Sequence, residues 1–171
     1  MTCRQVAVIS LLVIVAYWLL VASMSERGLV GPDEPRYAAV AREMAESGDW
    51  ITPRLDGQPW FEKPALLYWM AALASKRGLA DDRAIRLPVA LMSLGFLTFY
   101  YWRLRSEFGG PAAGYATTIL GTSAGWVAFS QIGVFDLPLT ASLSAALLLL
   151  LGWVRDPQEQ RAHRFSAFGA L

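Results

Sequence analysis

Two short stretches concentrate groups that can do chemistry. Gly31-Pro32-Asp33-Glu34-Pro35-Arg36-Tyr37 gathers two acids, an arginine and a phenol. Trp60-Phe61-Glu62-Lys63-Pro64 sets an acid and a lysine between aromatic rings and a proline. A positioned carboxylate can take a proton from a nucleophile. A positioned ammonium can stabilise negative charge that develops on a leaving group. Proline restricts the backbone at its own position and just before it. Charges held in this way beside bulky rings, between two apolar stretches, suggest a site rather than a solvated surface.

The elements that must position these residues are membrane helices. The chain has 171 residues, of which 55% are hydrophobic and 17% charged, and its mean hydropathy is +0.37. Soluble domains carry about 25% charged residues. The apolar excess falls in long runs, so the composition predicts an all-α polytopic membrane protein. Four spans are expected, at residues 6–24, 85–102, 111–130 and 137–154, with a fifth starting near 165 and an outer loop over 25–84. Each run is close to the roughly 20 residues that cross a bilayer. The first run resembles a signal peptide, with Arg4 before it and Val21-Ala22-Ser23 near its end. Its apolar part exceeds the roughly 7–15 residues of such a segment, so it reads as an uncleaved anchor. The start of a fifth span reads as the first part of a longer protein.

Net charge is +1, which provides no field to attract nucleic acid, and no nucleic-acid or phosphate-cradling motif is present. The single cysteine, Cys3, cannot form an internal disulfide, and one His and one Cys exclude the usual zinc clusters. Basic residues near span ends set orientation. Arg4, the pair Arg103 and Arg105, and the group Arg155, Arg161 and Arg164 fall on one side if spans alternate, which makes that side cytoplasmic. The N-terminus is then cytoplasmic and the 25–84 loop outside.

That loop carries its own pattern. Tyr37, Val40, Ala41 and Met44 recur at helical spacing, with Arg36, Glu43, Glu46 and Ser47 opposite, which predicts an amphipathic helix from Glu34 to Ser47. Asp33 is suited to cap it, Pro35 to its first turn and Gly48 to its end. Asp49 to Gln58 reads as turns. Pro64 then opens a second short helix, Ala65 to Arg77, apolar nearly all round and too short to span. The third run is rich in small residues, which places it centrally in a bundle.

These residues carry a family resemblance. Asp33-Glu34-Pro35-Arg36-Tyr37, Ala41-Arg42-Glu43-Met44, Ser47-Gly48-Asp49-Trp50, Pro53-Arg54-Leu55 and Trp60-Phe61-Glu62-Lys63-Pro64 resemble the first outer loop of polyprenyl-phosphate-sugar-dependent glycosyltransferases of the class C fold. Within that group the lipid A aminoarabinose transferases are most similar, and protein O-mannosyltransferases are more distant. Arg86-Leu87-Pro88 and Phe135-Asp136-Leu137-Pro138 also fit. Trp60 departs from the pattern, standing where a tyrosine is common, and the family has more spans than this chain.

The resemblance implies a donor sugar on a polyprenyl phosphate, a lipid (lipid A-like) or protein acceptor, and a site on the outer face of the bacterial inner membrane. It gives Asp33 the role of general base or nucleophile-orienting acid, and makes Asp136 a second acid of the cavity. It gives Lys63 the leaving phosphate. Glu34, Arg36, Tyr37, Glu62 and Arg86 become further cavity candidates. A divalent metal is compatible with it, with Glu62 as a possible ligand. Plainer readings exist for each residue: Asp33 and Asp136 as helix caps, Glu62 and Lys63 as an interfacial ion pair, Arg86 snorkelling to the headgroups, and Tyr37, Trp60 and Tyr68 as interface aromatics. Asp81-Asp82-Arg83 reads as a solvated turn. The rival classes are a transporter or scaffold subunit, and an inactive remnant. Spans one, three and four hold no charge in their interiors, whereas transporters place charge near the midplane.

Overall fold

The computed structural model describes residues 27–155, with side chains to residue 151. The predicted first and fifth spans, with Cys3, Arg4, Arg161, His163 and Arg164, lie outside the described residues.

The helix expected over Glu34 to Ser47 is α1, Asp33–Ser47. Its acids Asp33 and Glu34 lie in the first turn, where the helix dipole favours negative charge. Gly48 ends it at φ 72° and donates its N–H to the Met44 carbonyl. Tyr37, Ala38, Val40, Ala41 and Met44 form the buried face, as the spacing requires. Asp33 does not cap this helix. Pro32 occupies the N-cap position without a side-chain bond, and Asp33 is already helical.

The 49–58 turns resolve into a small hairpin, so the fold is not purely helical. β1 (Arg54–Leu55) and β2 (Gln58–Pro59) pair antiparallel, Arg54 opposite Pro59. Asp56 and Gly57, at φ 52° and 76°, make the two-residue turn with positive φ that matches strand twist, for which Asp-Gly is a favoured pair.

The second short helix is α2, Leu66–Lys76. The long helix α3, Asp81–Phe108, follows. It contains the second predicted span and overruns it at both ends. Asp81-Asp82-Arg83 is its first turn rather than a solvated turn, and Arg42 pairs with Asp81 at 3.0 Å. At about 1.5 Å per residue its 28 residues reach about 42 Å. Among the described residues it is the one helix that is long and apolar enough to cross a membrane.

The third predicted span is not continuous. It divides into α4 (Gly110–Thr122) and α5 (Ala124–Ser130) at an extended Ser123, ψ 138°. Two hydroxyl groups sit at the break. Thr122 donates to the Thr118 carbonyl and Ser123 to the Leu120 carbonyl, and such local bonds compete with the helix ladder. Nor is this segment central: Ala113 is the one buried residue in α4, and α5 has none. The centre is α3, which packs against α1, α2, α4, α5 and α6. The last helix, α6 (Asp136–Arg155), matches the fourth predicted span in place and is apolar over Asp136–Leu151. It presents Leu137 and Ala141 inward and Leu139, Leu143, Leu147 and Leu150 outward.

The core sits where α1, α2 and the first turns of α3 meet. Tyr37, Val40, Met44, Leu67, Tyr68, Ile85 and Val89 build it, and Leu137 closes it from α6. The candidate residues ring this core.

Candidate active site

The site assembles around the Tyr37 phenol. Its ring is buried and meets Phe135 edge-on at 5.0 Å and Tyr68 at 6.0 Å. Phe135 also meets Tyr68 edge-on at 5.3 Å. This three-ring contact joins α1, α2 and the turn before α6, and edge-to-face geometry is the favoured arrangement. Burial raises the Tyr37 phenol above its ordinary value, and the charges of Asp33, Glu62 and Asp136 add to the rise while Arg36 opposes it. Three carboxylates from three parts of the chain therefore bear on one buried phenol. Asp33 and Asp136, 103 positions apart in sequence, open α1 and α6, and both are exposed.

Beneath this surface lies a buried ion pair. Glu34 and Arg86 are 0% and 2% exposed. The Arg86 guanidinium meets the carboxylate as a fork, Nε to Oε1 at 2.7 Å and Nη2 to Oε2 at 2.7 Å. It also donates to the carbonyls of Arg27 and Gly28. Glu34 further accepts the N–H of Val30 at 2.7 Å and that of Gly133 at 2.6 Å. Burial alone would raise its carboxyl. The Arg86 bond and the two backbone N–H groups outweigh that and hold it below the usual glutamate value. Arg86 therefore does not snorkel, and Glu34 is not open to solvent.

The hairpin side carries the cations. Glu43 accepts the N–H groups of Asp56 and Gly57 at 2.6 and 3.1 Å, so the turn is tied to α1. Trp60 follows β2, its N–H donating to the Pro53 carbonyl, and Arg36 lies 5.5 Å from its ring centre. Arg36 reaches Asp33 at 3.4 Å and Glu62 at 3.9 Å, and Lys63 reaches Glu62 at 3.8 Å. These distances are long and the side chains are one third to one half exposed, so the pairs hold little energy. Such pairs are easily exchanged for a stronger anion. Tyr68 is fully buried rather than at an interface. Burial raises its phenol, with Tyr37 and Glu62 adding. The Trp60 indole lies near enough to temper that rise, but the two do not meet in hydrogen-bonding geometry.

The sequence candidates thus divide in two. Asp33, Arg36, Glu62 and Asp136 lie at the surface around Tyr37, with Lys63 beside Glu62, whereas Glu34 and Arg86 are buried. Among the described residues no three His, Cys, Asp or Glu side chains cluster to hold a metal; Glu62 faces two cations instead. Sequence reasoning missed Gly133, Phe135 as a ring contact, and Glu43. For Gly133 a glycine in a short turn was the one available signal. A Cβ there would stand 2.6 Å from two Ile85 carbons.

Comparison with known proteins places the chain among glycosyltransferases. The family profile described as dolichyl-phosphate-mannose-protein mannosyltransferase matches residues 5–170. An undecaprenyl phosphate-alpha-4-amino-4-deoxy-L-arabinose arabinosyl transferase of Pseudomonas fluorescens is 30% identical over 94% of this chain and 27% of its own length. One from Sodalis glossinidius is 32% identical over 87% of this chain and 27% of its own. The crystal structure of ArnT from Cupriavidus metallidurans bound to undecaprenyl phosphate aligns with a TM-score of 0.79 at 34% identity, covering 85% of this chain and 27% of that one. The chain spans about a quarter of the length of these relatives.

Proposed function

The chain belongs to the dolichyl-phosphate-mannose-protein mannosyltransferase family, and from that premise we propose that its protein is an integral-membrane glycosyltransferase that moves a sugar from a polyprenyl phosphate to an acceptor. The relatives' names favour an amino-arabinose donor on undecaprenyl phosphate, and a lipid A-like acceptor fits that donor better than a protein. The site faces the outer side of the bacterial inner membrane and the N-terminus is cytoplasmic. Supporting this, Arg86 and Arg105 lie about 28 Å apart along α3 at 1.5 Å per residue. The acid cluster and the basic end of the helix are therefore separated by nearly a bilayer core.

One observation carries the reading: the charges of Asp33, Arg36, Glu62 and Asp136 bear on Tyr37 from three separate elements, Lys63 stands beside Glu62, and the ion pairs of both cations are long and solvated. In the reaction, the acceptor oxygen bonds to the anomeric carbon and the bond from that carbon to the phosphate oxygen breaks. The electron pair leaves with the polyprenyl phosphate. Asp33 takes the proton of a hydroxyl acceptor or orients an ionised one. Lys63 exchanges Glu62 for the leaving phosphate, as its compact charge suits. Arg36 and Asp136 complete the rim.

Replacing Asp33 by Asn tests this. Asp33 caps nothing, so the change removes charge and basicity and costs α1 no more than an exposed first-turn charge, about 0.3–1 kcal/mol. A general base contributes about 10²- to 10⁴-fold in rate. Transfer from polyprenyl-phosphate sugar in detergent should fall by about that factor, with donor binding kept. Turnover equal to the wild type in Asp33→Asn would exclude Asp33 as the base.

A further inference from the structure

Glu34 stands next to Asp33, and Gly133 stands three residues before Asp136. Between them runs a single 2.6 Å bond, from the Gly133 N–H to Glu34 Oε1. The same carboxylate accepts the Arg86 fork and the Val30 N–H. One buried group thus ties the start of α1, the start of α3 and the turn that launches α6. Gly133 lies flush against Ile85, the residue before Arg86, so a side chain at this position would push the turn away from α3.

We propose that Glu34 is a positioning residue: by gripping the Gly133 turn it sets the separation of Asp33 and Asp136 across the acceptor position. The assignment rests on reading those two aspartates as the acids of the site. The bonds of Glu34 described above run to Val30, Arg86 and Gly133, whereas Lys63 lies between β2 and α2 and pairs with Glu62. Loss of the clamp should therefore slow the chemical step and spare the donor. A misplacement of about 1 Å at a reacting centre can lower the rate by about 10²-fold.

Two variants test it, made in the protein produced in full. Glu34→Gln keeps the shape but cannot serve the Arg86 fork and both N–H groups. Gly133→Ala alters no charge and lifts the turn off Ile85. Both should lower kcat by about 10- to 100-fold, with KM for the polyprenyl-phosphate sugar unchanged. Both should also speed amide hydrogen exchange across residues 131–136, without faster exchange in the hairpin. Ile85→Ala makes room for the added methyl and should return part of the kcat to Gly133→Ala. Wild-type kcat in either variant would overturn the proposal, as would a rise in KM that matches the fall in kcat. Unchanged exchange at 131–136 would overturn it too. If the wild-type protein transfers no sugar, the functional reading fails, and the exchange measurement still decides whether Glu34 grips the turn.

Discussion

Arg86→Ala should be among the most destabilising single changes in the described fold, and its effect should depend on pH. The wild-type guanidinium makes two bonds of 2.7 Å to Glu34 and bonds of 2.8 and 2.9 Å to the Arg27 and Gly28 carbonyls. The carbonyls belong to exposed residues and can turn to water, so their loss counts little. Glu34 cannot reach water. Breaking a buried pair by removing one partner costs about 3–5 kcal/mol, most of it the uncompensated charge left behind. Val30 and Gly133 still donate to Glu34, which puts the expectation near the lower end, about 3 kcal/mol. In the wild type the Glu34 carboxyl is held low. Its stabilising contribution is therefore complete above the ordinary glutamate pKa and is lost as pH falls through the lowered folded value. Without Arg86 the Glu34 carboxyl loses the strongest influence that opposes burial, so it binds a proton more readily than in the wild type and the variant relieves part of its penalty that way. The difference between variant and wild type should be largest near pH 7.5 and should shrink toward pH 4.5. Unfolding by titrated SDS in mixed micelles, followed by tryptophan fluorescence, reads it, since Trp60 and Trp126 pack on the core. Glu34→Gln added to Arg86→Ala should recover part of the loss, because an amide carries no charge and still accepts from one N–H. A loss below about 1 kcal/mol at pH 7.5, or one that does not vary with pH, would refute the claim that this pair holds the fold together.

Two other changes separate donor binding from architecture. Lys63→Ala should weaken binding of the polyprenyl-phosphate sugar by about 10- to 100-fold, the worth of one charged hydrogen bond, with no measurable loss of stability, and Lys63→Arg should recover only part; unchanged donor affinity would leave only the ion pair with Glu62. Glu43→Gln should cost about 1 kcal/mol, because one amide oxygen cannot serve the Asp56 and Gly57 N–H groups as two carboxylate oxygens do. It should also raise the donor KM a few-fold with kcat kept, measured in the same transfer assay.

Much of the local structure was legible from spacing. The period of Tyr37, Val40, Ala41 and Met44 marked α1, Gly48 its end, and Pro64 the opening of α2, because amphipathic periodicity and backbone preferences are properties of neighbouring residues. Long apolar runs likewise marked α3 and α6. The break at Ser123 was not legible from hydropathy, since Thr122 and Ser123 are mild residues whose hydroxyls act only once the helix they interrupt has formed.

For the site, sequence alone determined which groups are available: Asp33, Arg36, Tyr37, Glu62, Lys63 and Asp136, in stretches that prolines and aromatic rings set apart. Tertiary structure decided what each one faces. Glu34 and Arg86 are 52 positions apart, and no local rule says that one neighbour of the acid cluster turns outward and the next is buried in an ion pair. That sorting follows from a helix start packed on α3: Asp33 looks out and Glu34 looks in, toward the one guanidinium that makes its burial affordable. The Gly133 turn reaches the same carboxylate from 99 positions away. Contacts of this range depend on how helices pack, which hydrophobic pattern constrains but does not specify.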